Sequence, residues 1–257
     1  INSFSDAGEV LRRNVWIVPL EPTLTAYEEL LKETEVFVAY GNTIWYTVVG
    51  TVLNVFFTVM AAYALSIKTF CLRRFVSLFV TITMFVSGGI IPTYIIVTRT
   101  GLYNSRWSLV IPTLVSAYNL IIARSYMESI PYELTESAKL DGANDFTILW
   151  RIIAPVAKPI ISLLVIYYAV GHWNEYFNPM IYLKNRELKP IQLYLRDILV
   201  SEANATSQQA VTGNQKTMLY EALKFSNIVI TVLPITIIYP FFQKHFVQGA
   251  MIGSVKG

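Results

Sequence analysis

Long uncharged runs of apolar residues alternate with short polar stretches along almost the whole chain. Residues 36–67 carry no charge at all. A membrane-crossing helix needs about 20 predominantly apolar residues, so the pattern predicts a first span over 43–66. The same reading predicts further spans over 75–98, 107–127, 160–181 and 225–243. Gly88, Gly89 and Pro92 interrupt the second of these, and Pro112 can kink the third. Gly50, Ala61, Ala62 and Ala64 are small enough to let neighbouring helices approach closely. Residues 1–42 read as a polar segment outside the membrane. Pro19 and Pro22 suggest an extended stretch near Trp16, and a short amphipathic helix is predicted over 25–35.

Two polar excursions stand out between the spans. The first, 131–159, carries seven charged side chains. Pro131 and Glu133 suit a helix start, where the dipole favours an anion. Leu134 and Ala138 are four apart and share a face. Asp141-Gly142 is a stop signal, because glycine adopts the left-handed conformation that ends helices. Asn144 can cap a second helix, which Pro155 and Pro159 then break. The pattern is a charged helix-turn-helix held at a membrane surface and shaped for a soluble partner. The second excursion, 182–224, predicts a surface helix over 190–200 followed by a small, polar, flexible stretch over 201–215.

Composition agrees with this division. Hydrophobic residues make up 54% and charged ones 14%, against about 25% charged in an ordinary soluble domain. The fold class is therefore an all-α polytopic membrane protein. A net charge of +3 gives no case for nucleic acid, and one cysteine, Cys71, excludes an internal disulfide. The crowded basic loop of Lys68, Arg73 and Arg74 argues for the cytoplasmic side. Nine Lys or Arg fall in the regions assigned there and eleven outside; setting aside 1–40 and 182–224, to which the rule gives little weight, leaves nine against two.

Candidate chemistry inside the membrane concentrates in 171–180, GHWNEYFNPM. Ionisable groups at that depth are costly and usually face a cavity. His172, Asn174, Glu175 and Asn178 can hydrogen-bond sugar hydroxyls, while Trp173, Tyr176 and Phe177 can offer flat faces to sugar rings. The other reading is an interfacial aromatic belt with His172 and Glu175 already near water. Tyr118 and Asn119, mid-span, either bond a neighbouring helix or face the same path. Only one other histidine, His245, occurs, so no metal cluster or HExxH site is expected. No GxxxxGK[ST] phosphate loop occurs, so the chain is not itself an ATPase, and no enzyme activity is assigned to it.

Glu136-Ser137-Ala138, Gly142 four residues on, then Ile152 and Pro155, resemble the EAA loop of binding-protein-dependent ABC importer permeases. Ser137 and Ala154 are mild departures from that pattern. The fuller IPYELTESAKLDGAND string and the FFQKHFVQGAMIGSVKG ending resemble the carbohydrate-uptake branch, of MalG-like and LplC-like kind; 171–199 is nearest the latter. The resemblance implies a type I importer permease with five spans in this sequence and a sixth ahead of it. It implies a bacterial inner-membrane location and alternating access driven by ATP, with the loop 129–159 on the cytoplasmic face. Glu133, Glu136, Ser137, Ala138, Asp141, Gly142, Ala143, Ile152 and Pro155 would couple the spans to the ATPase. Glu136 would bond the partner, and Ala138 and Ala143 would allow close seating on it. The implied partners are a second, different permease subunit, two nucleotide-binding subunits that hold ATP and Mg, a solute-binding protein and membrane lipid. The loop 182–224 would reach the binding protein, and the tail would lie near the ATPase. The implied cargo is an oligosaccharide, with an acidic, alginate- or pectin-type sugar as the finer expectation. The rivals are another solute in the same kind of importer, or an ion-coupled carrier, which should show inverted repeats and paired intramembrane charges.

Overall fold

The computed structural model describes residues 2–5, 22–209, 225–234 and 236–237, which are helical or irregular, with no strand among them. The expectations for Trp16, Pro19, residues 210–224, Lys244, His245 and the tail lie outside the described residues. Eleven helices are used below: α1 Thr25–Lys32, α2 Thr34–Ser66, α3 Arg73–Phe85, α4 Ile90–Arg99, α5 Ala117–Glu128, α6 Glu133–Leu140, α7 Asp145–Ile148, α8 Lys158–Asn174, α9 Phe177–Tyr182, α10 Ile191–Gln209 and α11 Phe225–Pro234. The chain forms two compact units, residues 46–172 with 240–257, and residues 1–45 with 173–239.

Among the described residues, α2, whose residues 46–66 lie in the first unit, is the one helix long and apolar enough to cross a bilayer by itself. Its 33 residues make a rod of about 50 Å. Its C-terminal half packs on α5, the 131–159 loop and α8 through Val59, Ala62, Leu65, Leu120, Ala123, Ile148, Ile153, Ile160 and Leu164. The expected span over 75–98 is two helices, α3 and α4, bent by 119° at 86–89. No residue of α3 is buried within the chain.

The expected span over 107–127 differs more. A 3-10 turn, Arg106–Ser108, leads into turns and bends, and α-helix starts only at Ala117. Pro112 has no N–H to give a helix, and the Ser116 hydroxyl caps α5 by accepting from the Asn119 N–H. Side chains from flanking helices satisfy this irregular backbone. Asn54 Nδ2 donates to the Thr113 carbonyl at 2.7 Å. The Tyr168 hydroxyl accepts from the Ser116 N–H at 3.1 Å and pairs with Thr58 Oγ1 at 2.7 Å. Non-helical backbone at membrane depth needs such internal partners.

In the second unit, Leu30, Val36, Ala39 and Ile191 form a small core with Tyr40, Tyr194 and Ile230. Asn42 Nδ2 donates to the carbonyls of Glu187 (2.6 Å) and Lys189 (3.2 Å), and Thr43 Oγ1 accepts from the Ile191 N–H at 2.8 Å. The Tyr194 hydroxyl donates to the Glu33 carboxylate. Burial and that carboxylate push the Tyr194 phenol well above its ordinary range. Helix α10 runs to Gln209, so 201–209 is helical where a flexible stretch is expected from sequence. Its alanines, glutamate and glutamines are good helix formers, which the small polar composition conceals.

Candidate coupling loop and polar bundle sites

The helix-turn-helix of the 131–159 loop forms as the sequence predicts, but the prolines act elsewhere. The first helix starts at Glu133, two residues past Pro131, the second helical run passes through Pro155 to Val156, and Pro159 is already in the first turn of α8. Helix α6 ends at Gly142, whose φ is +80°. The Ala143 N–H returns to the Ala138 carbonyl at 2.9 Å and the Gly142 N–H to that of Lys139 at 3.0 Å, the paired bonds of a Schellman end. Asn144 Oδ1 accepts from the Thr147 N–H at 2.8 Å and so starts α7. Lys139 and Asp145 bridge the two helices at 3.2 Å. Leu149–Ile153 then widens into a π-helical turn ahead of Pro155. The proline ring would otherwise press on the carbonyl four residues back, and its missing N–H leaves that carbonyl unclaimed. After Ala157 the chain bends by 87° into α8.

Packing sorts the candidate coupling residues. Glu133, Glu136, Ser137, Asp141, Gly142 and Pro155 are exposed, and Ala143 and Ile152 are half-buried. Ser137 Oγ donates back to the Leu134 carbonyl. Ala138 is buried in the chain's own core beside Ile148 and Leu149. Its small size therefore seats α6 on the spans of its own subunit, and the close seating expected on a partner does not describe this side chain. Two residues absent from the sequence-derived set dominate the outer face: Leu140 is 85% exposed and Phe146 60%. Their signal was available, since Leu140 lies two residues past Ala138, on the opposite side of a 3.6-residue helix. At the loop's entry, Glu128 takes Arg73 at 2.5 Å and Arg124 at 2.8 Å. Burial raises its carboxyl, but bonds to both arginines outweigh this and hold it below the usual range.

The residues assigned to a substrate path have divergent surroundings. In the first unit, the tip of the His172 imidazole packs against Gly50, with Nε2 3.3 Å from Asn54 Oδ1. Tyr118 is half exposed with its ring 6.5 Å from that of Tyr167, and Asn119 is buried. In the second unit, Trp173 is buried and donates to the Thr231 carbonyl at 3.1 Å. Glu175 caps α9 by accepting from the Phe177 and Asn178 N–H groups. That cap, with Pro179 in the first turn, is why the expected span over 160–181 breaks after Asn174. Asn174 accepts from Gln192 at 3.4 Å, while Tyr176 and Phe177 keep exposed faces. His172, Trp173 and Glu175 thus have structural partners, and Tyr118, Tyr167, Tyr176 and Phe177 present free aromatic surface.

Residues 54–252 match the family model described as binding-protein-dependent transport system inner membrane component. The chain is 38% identical to protein LplC of Bacillus subtilis (strain 168), over 99% of this chain and 86% of the relative. It is 35% identical to the polygalacturonan/rhamnogalacturonan transport system permease protein YtcP of the same organism, over 99% of this chain and 89% of that protein. Among solved structures it superposes on a chain of a bacterial ABC transporter involved in the import of the acidic polysaccharide alginate. The TM-score is 0.86 at 33% identity, covering 95% of this chain and 87% of that one.

Proposed function

From the premise that this chain belongs to the family of binding-protein-dependent transport system inner membrane components, we propose that it moves an acidic oligosaccharide, of plant-wall or alginate type, across the inner membrane. It is a permease subunit of a sugar ABC importer, a reading supported by its likeness to a polygalacturonan/rhamnogalacturonan transport system permease protein and to a chain of an alginate-importing ABC transporter. The finer cargo is supported by the combination of pectin-type and alginate importers among those relatives. In this reading a loaded binding protein docks outside, ATP closes two ATPase subunits inside, and a second permease subunit completes the path. Tyr118 and Tyr176 offer faces to sugar rings. His172 and Glu175 act by holding helices in place.

The observation that carries the coupling assignment is the loop's construction: a turn pinned at both ends, seated on the core by Ala138, with Leu140 and Phe146 turned outward. Exposed apolar side chains on a rigid support can anchor an interface when a partner's pocket desolvates them. Leu140→Asp or Phe146→Asp is expected to weaken binding of the ATPase subunit by about 2 kcal/mol or more, roughly thirtyfold. Binding measurements on the permease pair in nanodiscs check this, and undiminished affinity in both variants would refute the assignment. For the cargo, ATP hydrolysis by the reconstituted complex with its binding protein should rise with uronate-containing oligosaccharides. A response to neutral sugars alone would discard the acidic reading. A response to no sugar, with an active ATPase, would discard the saccharide class.

A further inference from the structure

A cavity of ≈ 380 Å³ opens beside the coupling loop, lined by Tyr63, Ala64, Thr69, Phe70, Lys139 and Phe146 among others. It lies between the last turns of α2, the 67–72 loop and the α6–α7 pair. Its walls are mostly apolar, and the Lys139–Asp145 ion pair lines it. Tyr63 is 6% exposed, and its hydroxyl is buried with no hydrogen-bond partner. Buried polar groups are nearly always satisfied, and an orphan costs its desolvation in full. The free chain thus keeps an unmet hydrogen bond next to an empty space, on the loop where a partner is expected.

We propose that this cavity receives a side chain of the ATPase subunit, one with an apolar stem and a hydrogen-bonding tip that reaches the Tyr63 hydroxyl as the ring turns into the space it lines. Docking is then reciprocal: Leu140 enters the partner, and the partner enters the permease. The occupant is argued from continuity. Phe146 belongs both to the loop's exposed face and to the cavity wall, so whatever covers the one covers the other. An ion pair at the wall favours a neutral polar tip over a charged one, because Lys139 and Asp145 already compensate each other. This inference rests on the coupling-loop reading above.

The test measures ATPase-subunit affinity for the permease pair in nanodiscs, with thermal stability of the pair recorded alongside. Tyr63→Phe removes only the hydroxyl. Stability should hold or rise, because an orphan is removed, while affinity for the ATPase subunit falls about two- to tenfold, the worth of one hydrogen bond. Thr69→Trp fills the space from the exposed loop and should lower affinity tenfold or more. If Thr69→Trp does not fold, Tyr63→Phe decides alone. A fall in stability with unchanged affinity in Tyr63→Phe would overturn the proposal, because it would show the hydroxyl serving the free chain. Leu140→Asp separates the two levels, since Leu140 does not line the cavity. Lost binding in Leu140→Asp with normal binding in both cavity variants discards the cavity and keeps the loop. Normal binding in all three discards both.

Discussion

An importer carrying Gly142→Pro should insert and pair with its partner subunit yet lose nearly all sugar-stimulated ATP hydrolysis and transport. Residue 142 sits at φ +80° and its N–H closes the end of α6 on the Lys139 carbonyl. Proline fixes φ near −65° and has no N–H, so it fails on both counts, at a local cost of about 3 kcal/mol. The direction of α7 then changes, and with it the position of Phe146 and the Lys139–Asp145 bridge. The core below, from Ile148 to Leu164, does not involve residue 142, so the bundle should survive. Gly142→Ala is the informative companion. Nothing lies within 4 Å of the added Cβ, so its penalty is conformational alone, about 1–2 kcal/mol, and transport should fall only in part. Retention of full transport by the proline variant would remove the pinned turn from the mechanism.

Gly50→Ala should destabilise the first unit. Its Cβ would meet His172 Nε2 at 2.4 Å, Cε1 at 2.7 Å and Cδ2 at 2.8 Å. The imidazole must leave, and it takes the contact with Asn54 with it. Overpacking of this kind costs about 1–3 kcal/mol. Asn54 also holds the Thr113 carbonyl, so the irregular segment before α5 loses definition too, and transport should suffer beyond the loss of stability. Combining Gly50→Ala with His172→Ala returns the space. The double variant should melt higher than Gly50→Ala alone, a coupling that a double-mutant cycle reads directly. Simple additivity would show that the close approach has no energetic weight.

The helical class and the turn at 141–144 were legible because their signals are local, whereas the breaks expected at Pro155 and Pro159 fall inside helical runs. Glycine after aspartate and asparagine as a cap act within a few residues of themselves. The break before α5 was less legible: Pro112 marks the place, but the partners that make it tolerable, Asn54 and Tyr168, come from 50 or more residues away. The same holds for 171–178. Residue type alone offers His172, Trp173 and Glu175 as ligands for a sugar. Only packing shows that one rests on a glycine, one bonds the Thr231 carbonyl and one caps a helix. Ala138 reversed its meaning for the same reason, since a small residue near an interface does not say which side of the helix that interface lies on. Leu140 is readable from helical spacing, two residues past Ala138 and so on the opposite side of α6.

The polar residues of α2 restrict how that helix can move. Asn42, Thr43, Asn54 and Thr58 each hold a named group from elsewhere in the chain. Turning the rod about its axis by one residue, about 100°, would break all four and aim amides at lipid, at about 1–3 kcal/mol for each group left unmet. The helix is keyed against rolling. Within each unit, a motion of α2 that keeps these bonds carries along the groups its side chains grip.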